Sequence, residues 1–301
     1  MTTADARFEA IIADFRARLE ARVAGGSRRH DTHISAVILA GSHAWKFKKP
    51  VDFGFVDFTT LERRRHFCDR EIELNRRFAP TLYEGVEAVT AADDAGVVEY
   101  AVRMRRFEAA ATLDQLVSAD AVEADEIAAF ARELAAIHAG LAAVDPGSPY
   151  GQAALACQQI LAATAAPLDA ELPPRFAVQL AATVEGLRDE LAARKSAGHV
   201  RDCHGDLHLT NIVRFEGRLV AFDCIEFNDE LRIIDTLSDA AFLLMDLDHY
   251  GAGSLANAFF NHYIEASGDH AGLQVLPLYL AYRSLIRAKV ALLGETRDGR
   301  G

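Results

Sequence analysis

The 301-residue sequence has few cysteines, no long apolar run and no excess of positive charge. Its cysteines, Cys68, Cys157, Cys203 and Cys224, include no Cys-x-x-Cys pair, which excludes a disulfide scaffold and is typical of reduced, cytosolic thiols. No stretch approaches the roughly 18 apolar residues of a membrane span, and the charged N-terminus lacks a signal-peptide core. The 32 basic and 44 acidic residues give a net charge of −12, which disfavours nucleic acid as a partner. We therefore expect a cytoplasmic protein with no membrane or nucleic-acid partner.

The rest of the composition is that of an ordinary globular chain, with 50% hydrophobic and 25% charged residues. Apolar periodicity predicts a helix over 5–24, a β-hairpin turning at Gly41-Ser42, a charged helix over 60–79 and a strand over 97–104. Beyond Phe107 helices are expected at about 123–143, 176–196, 235–248, 254–267 and 275–293. The sequence thus predicts an α+β fold with a smaller part over 1–104 and a larger, mainly helical part over 105–301.

One β element interrupts the helical part, within the segment CHGDLHLTNIVRFEGRLVAFDCIEF at residues 203–227. Two apolar runs flank Glu216-Gly217, and a two-residue turn there makes them a hairpin. Asn211 and Asp223 then lie at the same end of paired strands, within reach of one cation, and Asp206 lies in the loop just before. Because amide and carboxylate oxygens suit Mg²⁺, the sequence predicts a magnesium site here.

The pattern His-x-Asp-x-x-x-x-Asn, followed by a second Asp, resembles the catalytic and metal-binding segments of kinases. The stretch HGDLHLTN is similar to the aminoglycoside phosphotransferase and choline kinase branch. The resemblance implies a two-lobed protein-kinase-like fold, with Asp206 as catalytic base, Asn211 and Asp223 on Mg²⁺ and His204 as a structural member of the loop. Zinc is a weaker alternative because no fourth ligand is evident beside Cys203, His204 and His208.

The predicted strand AWKFKK carries two candidate phosphate-binding lysines. Its alternation places Trp45 and Phe47 on one face and Ala44, Lys46 and Lys48 on the other. This is similar to the kinase Ala-x-Lys arrangement, in which the lysine binds the α- and β-phosphates of ATP. The resemblance favours Lys46 for this role, with Lys48 as the open alternative.

The charged helix over 60–79 places one carboxylate on its apolar stripe. Glu71 lies at helical spacing with three apolar residues, Phe67, Leu74 and Phe78. Because an unpaired carboxylate in that position is costly, we expect Glu71 to pair with Lys46 or Lys48, as the helix glutamate of kinases does. Arg70 and Arg76 flank Glu71 without sharing its face, so they are the less favoured partners.

The resemblance also implies where the nucleotide binds. Residues 99–107 would run from the last small-lobe strand into the hinge, so backbone groups of Met104, Arg105 and Phe107 are expected at the adenine. The sequence has no glycine-rich phosphate loop of the protein-kinase kind, and Gly41 and Ser42 at the hairpin turn are the candidate nucleotide-binding residues there. Residues 99–107 could instead be an ordinary strand, because none of them is specific to a nucleotide-binding hinge.

The acceptor pocket is expected in the larger part, near 226–235 and the 254–293 helices. Glu226, Asp229 and Glu230 are candidate acceptor-binding residues, although Glu226 could instead contact metal or cap the next segment. Three other polar residues are expected to be structural rather than catalytic, namely His138, Asp235 and Asp239.

Nearly the whole chain resembles one bacterial group of aminoglycoside phosphotransferase-like proteins, through segments such as VILAGSHAWKFKKPVDFGFVDFTTLE and FDCIEFND. Many members continue into a P-loop ATP-binding domain, so this chain is expected to be a single-module member or a truncated one, with that ATPase domain as a candidate partner. The expected activity is Mg·ATP-dependent phosphorylation of a hydroxyl on an aminoglycoside, aminosugar, sugar or amino alcohol. The alternatives are a protein kinase and a nucleotide-binding regulatory module without turnover. Asp-Cys-Ile-Glu in place of Asp-Phe-Gly disfavours a protein kinase.

Overall fold

The computed structural model describes residues 3–54, 56–91, 96–173 and 175–297. Its helices are α1 (Thr3–Glu20), α2 (Leu61–Asn75), α3 (Leu113–Ser118), α4 (Ala124–Gly140), α5 (Ala153–Ala162), α6 (Phe176–Gly186), α7 (Arg188–Ser196), α8 (Asp229–Arg232), α9 (Thr236–His249), α10 (Gly253–Ser267) and α11 (Leu276–Arg297). Its strands are β1 (Ser27–Asp31), β2 (Ser35–Ala40), β3 (His43–Lys48), β4 (Tyr83–Thr90), β5 (Val97–Arg105), β6 (Val200–Asp202), β7 (Ile212–Phe215), β8 (Arg218–Ala221) and β9 (Ile233–Asp235). Among the described residues, no helix is both long and apolar enough to cross a bilayer.

The chain divides into two compact units, Met1–Thr112 with Val213–Asn228, and Leu113–Ile212 with Asp229–Gly301. The predicted division after residue 104 gives two contiguous parts, whereas the first unit also contains a later segment, with most of the β7–β8 hairpin. The hairpin belongs to the first unit because its apolar side chains pack there. Val213, Phe215 and Val220 are members of a buried cluster of that unit.

The first unit is built on an antiparallel five-stranded sheet in the order β1-β2-β3-β5-β4. The tight turn at Gly41-Ser42 pairs Ala40 with His43, which confirms the predicted hairpin. Trp45 and Phe47 pack in a cluster that includes residues of α1. Ala44 belongs to the other cluster, with Cys68 of α2. The predicted alternation along β3 is therefore confirmed.

Helix α2 begins where the sequence predicts and ends early. Thr60 is the N-cap, since its side-chain oxygen accepts the Arg63 backbone N–H at 3.2 Å. The helix ends at Asn75, four residues before the predicted end at 79. The Arg77 and Phe78 N–H groups donate to the carbonyls three residues back, those of Leu74 and Asn75, so the chain tightens into turns instead of continuing the α-helix.

The second unit is mainly helical, as predicted, with a short antiparallel pair β6–β9 that aligns Val200 with Asp235. The helix predicted over 176–196 is two helices, α6 and α7. They meet at Leu187, which has φ −104° and ψ 5° and follows Gly186, a residue with low helix propensity. The unit carries the HGDLHLTN loop between β6 and β7.

Candidate active site

Two lysines of β3 share one carboxylate of α2. Lys46 Nζ lies 2.9 Å from Glu71 Oε1, and Lys48 Nζ lies 2.7 Å from Glu71 Oε2. Each lysine also contacts a second carboxylate, because Lys46 pairs with Asp223 and Lys48 pairs with Glu226. The expected pairing of Glu71 with a strand lysine is confirmed, and it involves both candidates.

The two arginines considered as alternative partners of Glu71 have other acceptors. Arg70 Nη1 lies 2.6 Å from Glu73 Oε2, on the exposed side of α2. Arg76 donates to the backbone carbonyls of Tyr83 and Glu84. Glu71 therefore pairs with the two lysines of β3, as its place on the apolar face of α2 predicts.

These contacts form one charge network, which consists of Lys46, Lys48, Glu71, Asp223 and Glu226. Its closed end is buried, and its open end is exposed to solvent. The side chains of Lys48 and Glu71 are 0% exposed, and Lys48 Nζ lies 5.2 Å from the ring centroid of Phe58. At the other end the Lys46 side chain is 12% exposed and that of Asp223 is 44% exposed. A ligand from solvent can therefore meet the Lys46–Asp223 end without breaking any buried pair.

Burial and charge act in opposite directions on these groups. Burial alone would raise the pKa of Glu71, but Lys46 and Lys48 lower it to about 2. Burial alone would lower the pKa of Lys46, yet Asp223 and Glu71 raise it well above its usual range. Burial raises the pKa of Glu226, and Lys48 only partly offsets that rise. At neutral pH Lys46 is thus a fixed positive charge beside a permanently ionised Glu71.

The segment that carries Asp223 is fixed by two side chains that the sequence reasoning missed. Asp223 has φ 62°, a left-handed conformation that aspartate tolerates better than most residues. Its N–H donates to the Tyr83 hydroxyl at 3.0 Å, and the Cys224 N–H donates to Asn75 Oδ1 at 2.8 Å. Asn75 Nδ2 in turn donates to the Glu71 carbonyl at 2.9 Å. Asn75 could have been found, since it lies one helical turn after Glu71 on the same face.

The residues expected at the nucleotide belong to the first unit. Gly41 has φ 55°, and a Cβ there would lie 2.9 Å from Val23 Cγ1, so the tight turn requires glycine. The exposed Ser42 follows, and its carbonyl accepts the Arg106 N–H at 2.8 Å. Met104 pairs with Ala44 across β5 and β3, which places the end of β5 beside the turn.

The two other predicted hinge residues pack against the β7–β8 hairpin and the residue that follows it. Arg105 pairs with Glu216, and its guanidinium lies 4.6 Å from the ring centroid of Phe215. Phe107 and Phe222 make an edge-to-face contact with 5.0 Å between centroids. These contacts hold the segment after β5 against the hairpin that precedes Asp223.

The catalytic-loop candidate lies in the second unit. Asn211 Nδ2 donates to Asp206 Oδ2 at 3.0 Å, and His208 Nε2 lies 3.3 Å from the same oxygen. Burial alone would raise the pKa of Asp206, but its hydrogen bond with His208 lowers that pKa below its usual range. The Asp206 side chain is 38% exposed. It is therefore an accessible, ionised carboxylate that can accept a hydrogen bond.

Helix α9 braces this loop with two buried carboxylates. Asp239 accepts the backbone N–H groups of His204 and Gly205 at 3.0 and 2.9 Å. Asp246, two turns later, accepts the Leu209 N–H at 2.9 Å. The structural role expected for Asp239 is confirmed, and Asp246 was missed although it repeats the same helix face seven residues later.

One buried group in the described part of the chain has the composition of a metal site. Ligand atoms of His138, Cys203 and Asp239 lie within 4.8 Å of one another. His138 contacts Asp239 Oδ2 at 3.2 Å and the Tyr263 hydroxyl at 2.9 Å, while Cys203 Sγ contacts the Ile234 carbonyl. Because these atoms already have partners, the group is a hydrogen-bonded core, and the structural role expected for His138 is confirmed. Asp235 is structural too, as the N-cap of α9.

The candidate acceptor-binding residues belong to different units. Glu226 lies in the first unit, buried against Lys48. Asp229 and Glu230 begin α8 in the second unit, where Asp229 Oδ1 lies 2.6 Å from Arg232 Nη2. The Glu230 carbonyl accepts a hydrogen bond from Gln159 Nε2 at 3.2 Å.

The predicted metal ligands also belong to different units, Asn211 to the second and Asp223 to the first. With its Nδ2 engaged by Asp206, the Asn211 side chain offers Oδ1 to a cation. Asp223 offers the most exposed carboxylate of its network. Each is a ligand type that Mg²⁺ accepts, and their joint coordination of one ion stays a prediction.

A five-stranded sheet with a Lys–Glu pair, followed by a helical unit with the HGDLHLTN loop, defines a kinase-like fold. Two solved structures share it. A choline/ethanolamine kinase family protein of Mesorhizobium loti aligns with TM-score 0.57 and 16% identity, over 96% of this chain and 87% of that chain. Aminoglycoside phosphotransferase APH(3'')-Id of Streptomyces rimosus aligns with TM-score 0.53 and 17% identity, over 92% and 98%. That enzyme is also known in complex with ADP and streptomycin.

Residues 56–276 match the phosphotransferase enzyme family, and the chain belongs to this family. Among its relatives are the uncharacterized proteins Rv2004c of Mycobacterium tuberculosis and Mb2027c of Mycobacterium bovis, each 35% identical over 267 residues. The match covers 86% of this chain and 53% of each relative. The chain therefore spans about half the length of these relatives.

Proposed function

We propose that this chain is a Mg·ATP-dependent phosphotransferase that transfers the γ-phosphoryl group to a hydroxyl of a small molecule. The observation that carries the proposal is Lys46, which is held by buried Glu71 and faces the exposed carboxylate of Asp223. Membership of the phosphotransferase enzyme family supports it. So does the accessible, ionised Asp206 in the second unit.

Lys46, and not Lys48, is the proposed phosphate-binding lysine. Lys46 lies at the open end of the network, whereas Lys48 is fully buried between Glu71 and Glu226. A phosphate could reach Lys48 only by breaking two buried ion pairs, each of which is costly to disrupt. The backbone of Met104–Phe107 and the Gly41-Ser42 turn are the proposed contacts for the adenine and the phosphates.

Asn211 and Asp223 are the proposed magnesium ligands. The cation supplies charge neutralisation and orientation of the phosphate oxygens. Asp223 already contacts Lys46, so the lysine ammonium and the metal-binding carboxylate are held together in the first unit. In this reaction class, positioning of the transferred group is the main source of catalysis.

Asp206 is the proposed base. Its lowered pKa keeps it ionised at neutral pH, so it can accept a hydrogen bond from the hydroxyl of a bound acceptor. A carboxylate with a low pKa is a weak base, but phosphoryl transfer through a loose transition state needs little proton removal before the new bond forms. Its main contribution is therefore to orient the hydroxyl oxygen, with the proton passing to Asp206 Oδ late in the step.

A cavity in the second unit suits an acceptor with amino and hydroxyl groups. It lies between α9 and α11, has a volume of about 620 Å³ and is lined by Asp246, Asp248, His249 and Arg287, among others. Asp246 also braces the loop that carries Asp206. Asp246 is buried and paired with Arg287, so Asp248 is the exposed carboxylate of this lining. An exposed carboxylate beside an imidazole and a guanidinium favours an aminosugar or amino alcohol over a purely apolar acceptor. Asp229 and Glu230 stay predictions as further acceptor contacts.

The proposal is tested by incubating the protein with Mg·ATP and a metabolite and aminosugar extract, followed by untargeted mass spectrometry. A compound that gains a phosphoryl group with wild type, but not with Asp206→Asn, is the expected result. Asp125→Asn, an exposed carboxylate of α4, is the matched control and should behave as wild type. Nucleotide binding without any phosphorylated product, over a wide range of acceptors, would point to a regulatory module. Labelled protein in a lysate would point to a protein kinase.

A further inference from the structure

The closed end of the charge network has no part in the roles proposed so far. Lys48 and Glu226 are both buried, and they lie 178 positions apart in the sequence. Lys48 also holds the second oxygen of Glu71, at 2.7 Å. Burying a lysine between two carboxylates under an aromatic ring is a poor way to gain stability, because desolvation cancels much of the attraction. Such a pair is better explained by what it positions.

We propose that Lys48 and Glu226 are positioning residues for phosphoryl transfer, which fix Glu71 and the Asp223 segment and thereby place Lys46. This inference rests on the proposed function for its catalytic meaning, while its structural content can be tested without turnover. It assigns the second lysine a task distinct from binding phosphate.

Lys48 fixes the orientation of the Glu71 carboxylate. Each of its two oxygens is held by a different lysine, Oε1 by Lys46 and Oε2 by Lys48. A carboxylate held at one oxygen can rotate about its last torsion, which is broad. Held at both, it presents Oε1 to Lys46 in one orientation. Lys48 therefore fixes the direction of the Lys46 ammonium through the carboxylate that they share.

The segment from Asp223 to Glu226 is held at both of its ends. Its start is held by the Tyr83 hydroxyl and Asn75 Oδ1, which accept the N–H groups of Asp223 and Cys224. Its end is held by the Lys48–Glu226 pair. Three anchors over four residues keep Asp223 in its left-handed conformation and its carboxylate against Lys46. Removing the third anchor should release the segment in part without unfolding the unit.

Three variants test the proposal, namely Lys48→Met, Glu226→Gln and the control Arg64→Met. Arg64 makes a buried ion pair of its own with Glu99 in the same unit, with Nη2 2.9 Å from Glu99 Oε2, and its Nη1 donates to the backbone carbonyls of Phe58 and Thr59. Arg64→Met therefore reproduces the loss of a buried ion pair that includes neither lysine of β3. Glu226→Gln keeps the shape of the site, and it provides the test of the Lys48–Glu226 pair if Lys48→Met does not fold.

The first measurement is hydrogen exchange of the peptide over residues 222–228, which needs no ligand or activity. Loss of one anchor should speed exchange at the Asp223 and Cys224 amides by about tenfold or more in Lys48→Met and Glu226→Gln. In Arg64→Met, exchange in this peptide should stay at the wild-type rate. Equal exchange in all four proteins would overturn the inference.

The second measurement is phosphate release from Mg·ATP with water as acceptor. Misplaced Lys46 and Asp223 should lower kcat by about tenfold or more, with less than about a threefold change in KM for ATP. A purely structural role predicts fewer folded molecules but an unchanged kcat, KM and Mg²⁺ dependence per folded molecule, as in Arg64→Met. If wild type neither binds nor turns over Mg·ATP, the proposed function fails, and the exchange result still decides whether Lys48 and Glu226 hold the segment.

Discussion

Replacing Glu71 with glutamine removes the carboxylate that joins the two lysines. The change leaves Lys46 with Asp223 and Lys48 with Glu226, so neither cation becomes wholly unpaired. Glu71 is fully buried, so solvent screens its charge very little. We expect Glu71→Gln to fold and to be clearly less stable than wild type at neutral pH.

The size of the loss can be worked out from the acidity of Glu71. Its pKa falls from an ordinary 4.5 to about 2 in the folded protein. At about 1.4 kcal/mol for each tenfold change in acidity, the ionised form contributes about 3 kcal/mol to the free energy of unfolding. This lies at the low end of the roughly 3–5 kcal/mol expected for breaking a buried ion pair. A loss at the low end of that range is expected, because each lysine keeps a second carboxylate when Glu71 is replaced.

The sign of the pH dependence follows from the same shift. A pKa that is lower in the folded state stabilises the protein fully above the unfolded pKa of 4.5. The contribution is lost as the pH falls from there towards 2. The stability gap between wild type and Glu71→Gln should therefore be constant from pH 6 to 8 and narrow below about pH 5.

Urea unfolding of both proteins at several pH values measures this gap. Glu73→Gln is the matched control on the same helix, because the Glu73 side chain is 65% exposed and its pair with Arg70 is a surface pair. That variant should lie within about 0.5 kcal/mol of wild type. A gap below about 1 kcal/mol for Glu71→Gln at pH 7, or a gap that does not narrow in acid, would refute the reasoning.

Three further changes have defined outcomes. Asp223→Ala should weaken binding of Mg·ATP far more than binding of ATP without Mg²⁺, by calorimetry, and equal losses would count against the metal assignment. Tyr83→Phe removes the acceptor of the Asp223 N–H and should cost about 1–3 kcal/mol in urea unfolding, whereas no change would mean that water replaces the hydroxyl. Arg194→Met leaves two buried carboxylates without their cation and should cost about 3–5 kcal/mol. Arg188→Met, at a surface pair, should change thermal stability little, and similar melting temperatures for the two arginine variants would contradict the burial argument.

Local patterns account for the features that could be predicted. The hairpin at Gly41-Ser42, the faces of β3 and the hairpin at Glu216-Gly217 all depend on alternation and turn residues within a few positions. Helical spacing alone placed Glu71 on the buried face of α2. These are short-range consequences of backbone geometry, so a single sequence contains them.

Other elements had no such signal. Strand β1 has the sequence SRRHD, without apolar alternation, and exists because its backbone pairs with β2 at the edge of the sheet. Strand β4 contains Gly85 within YEGVEAVT, with a register shift beside it.

The pairing of Lys48 with Glu226 could not be predicted from the sequence either. The two residues lie 178 positions apart, and only the assembled unit brings them together. For the same reason, the involvement of both lysines with Glu71 was not resolved in advance.

The first unit is discontinuous in sequence, and this has a consequence for how the protein is made. Its buried cluster needs Val213, Phe215 and Val220, which are synthesised about 100 residues after Thr112. At roughly 5–20 residues per second, a nascent chain waits about 5–20 s with that apolar surface uncovered. During this interval the growing polypeptide should be a substrate for holding chaperones. A fragment ending at residue 112 should aggregate when expressed alone, whereas adding the later hairpin in trans should improve its solubility.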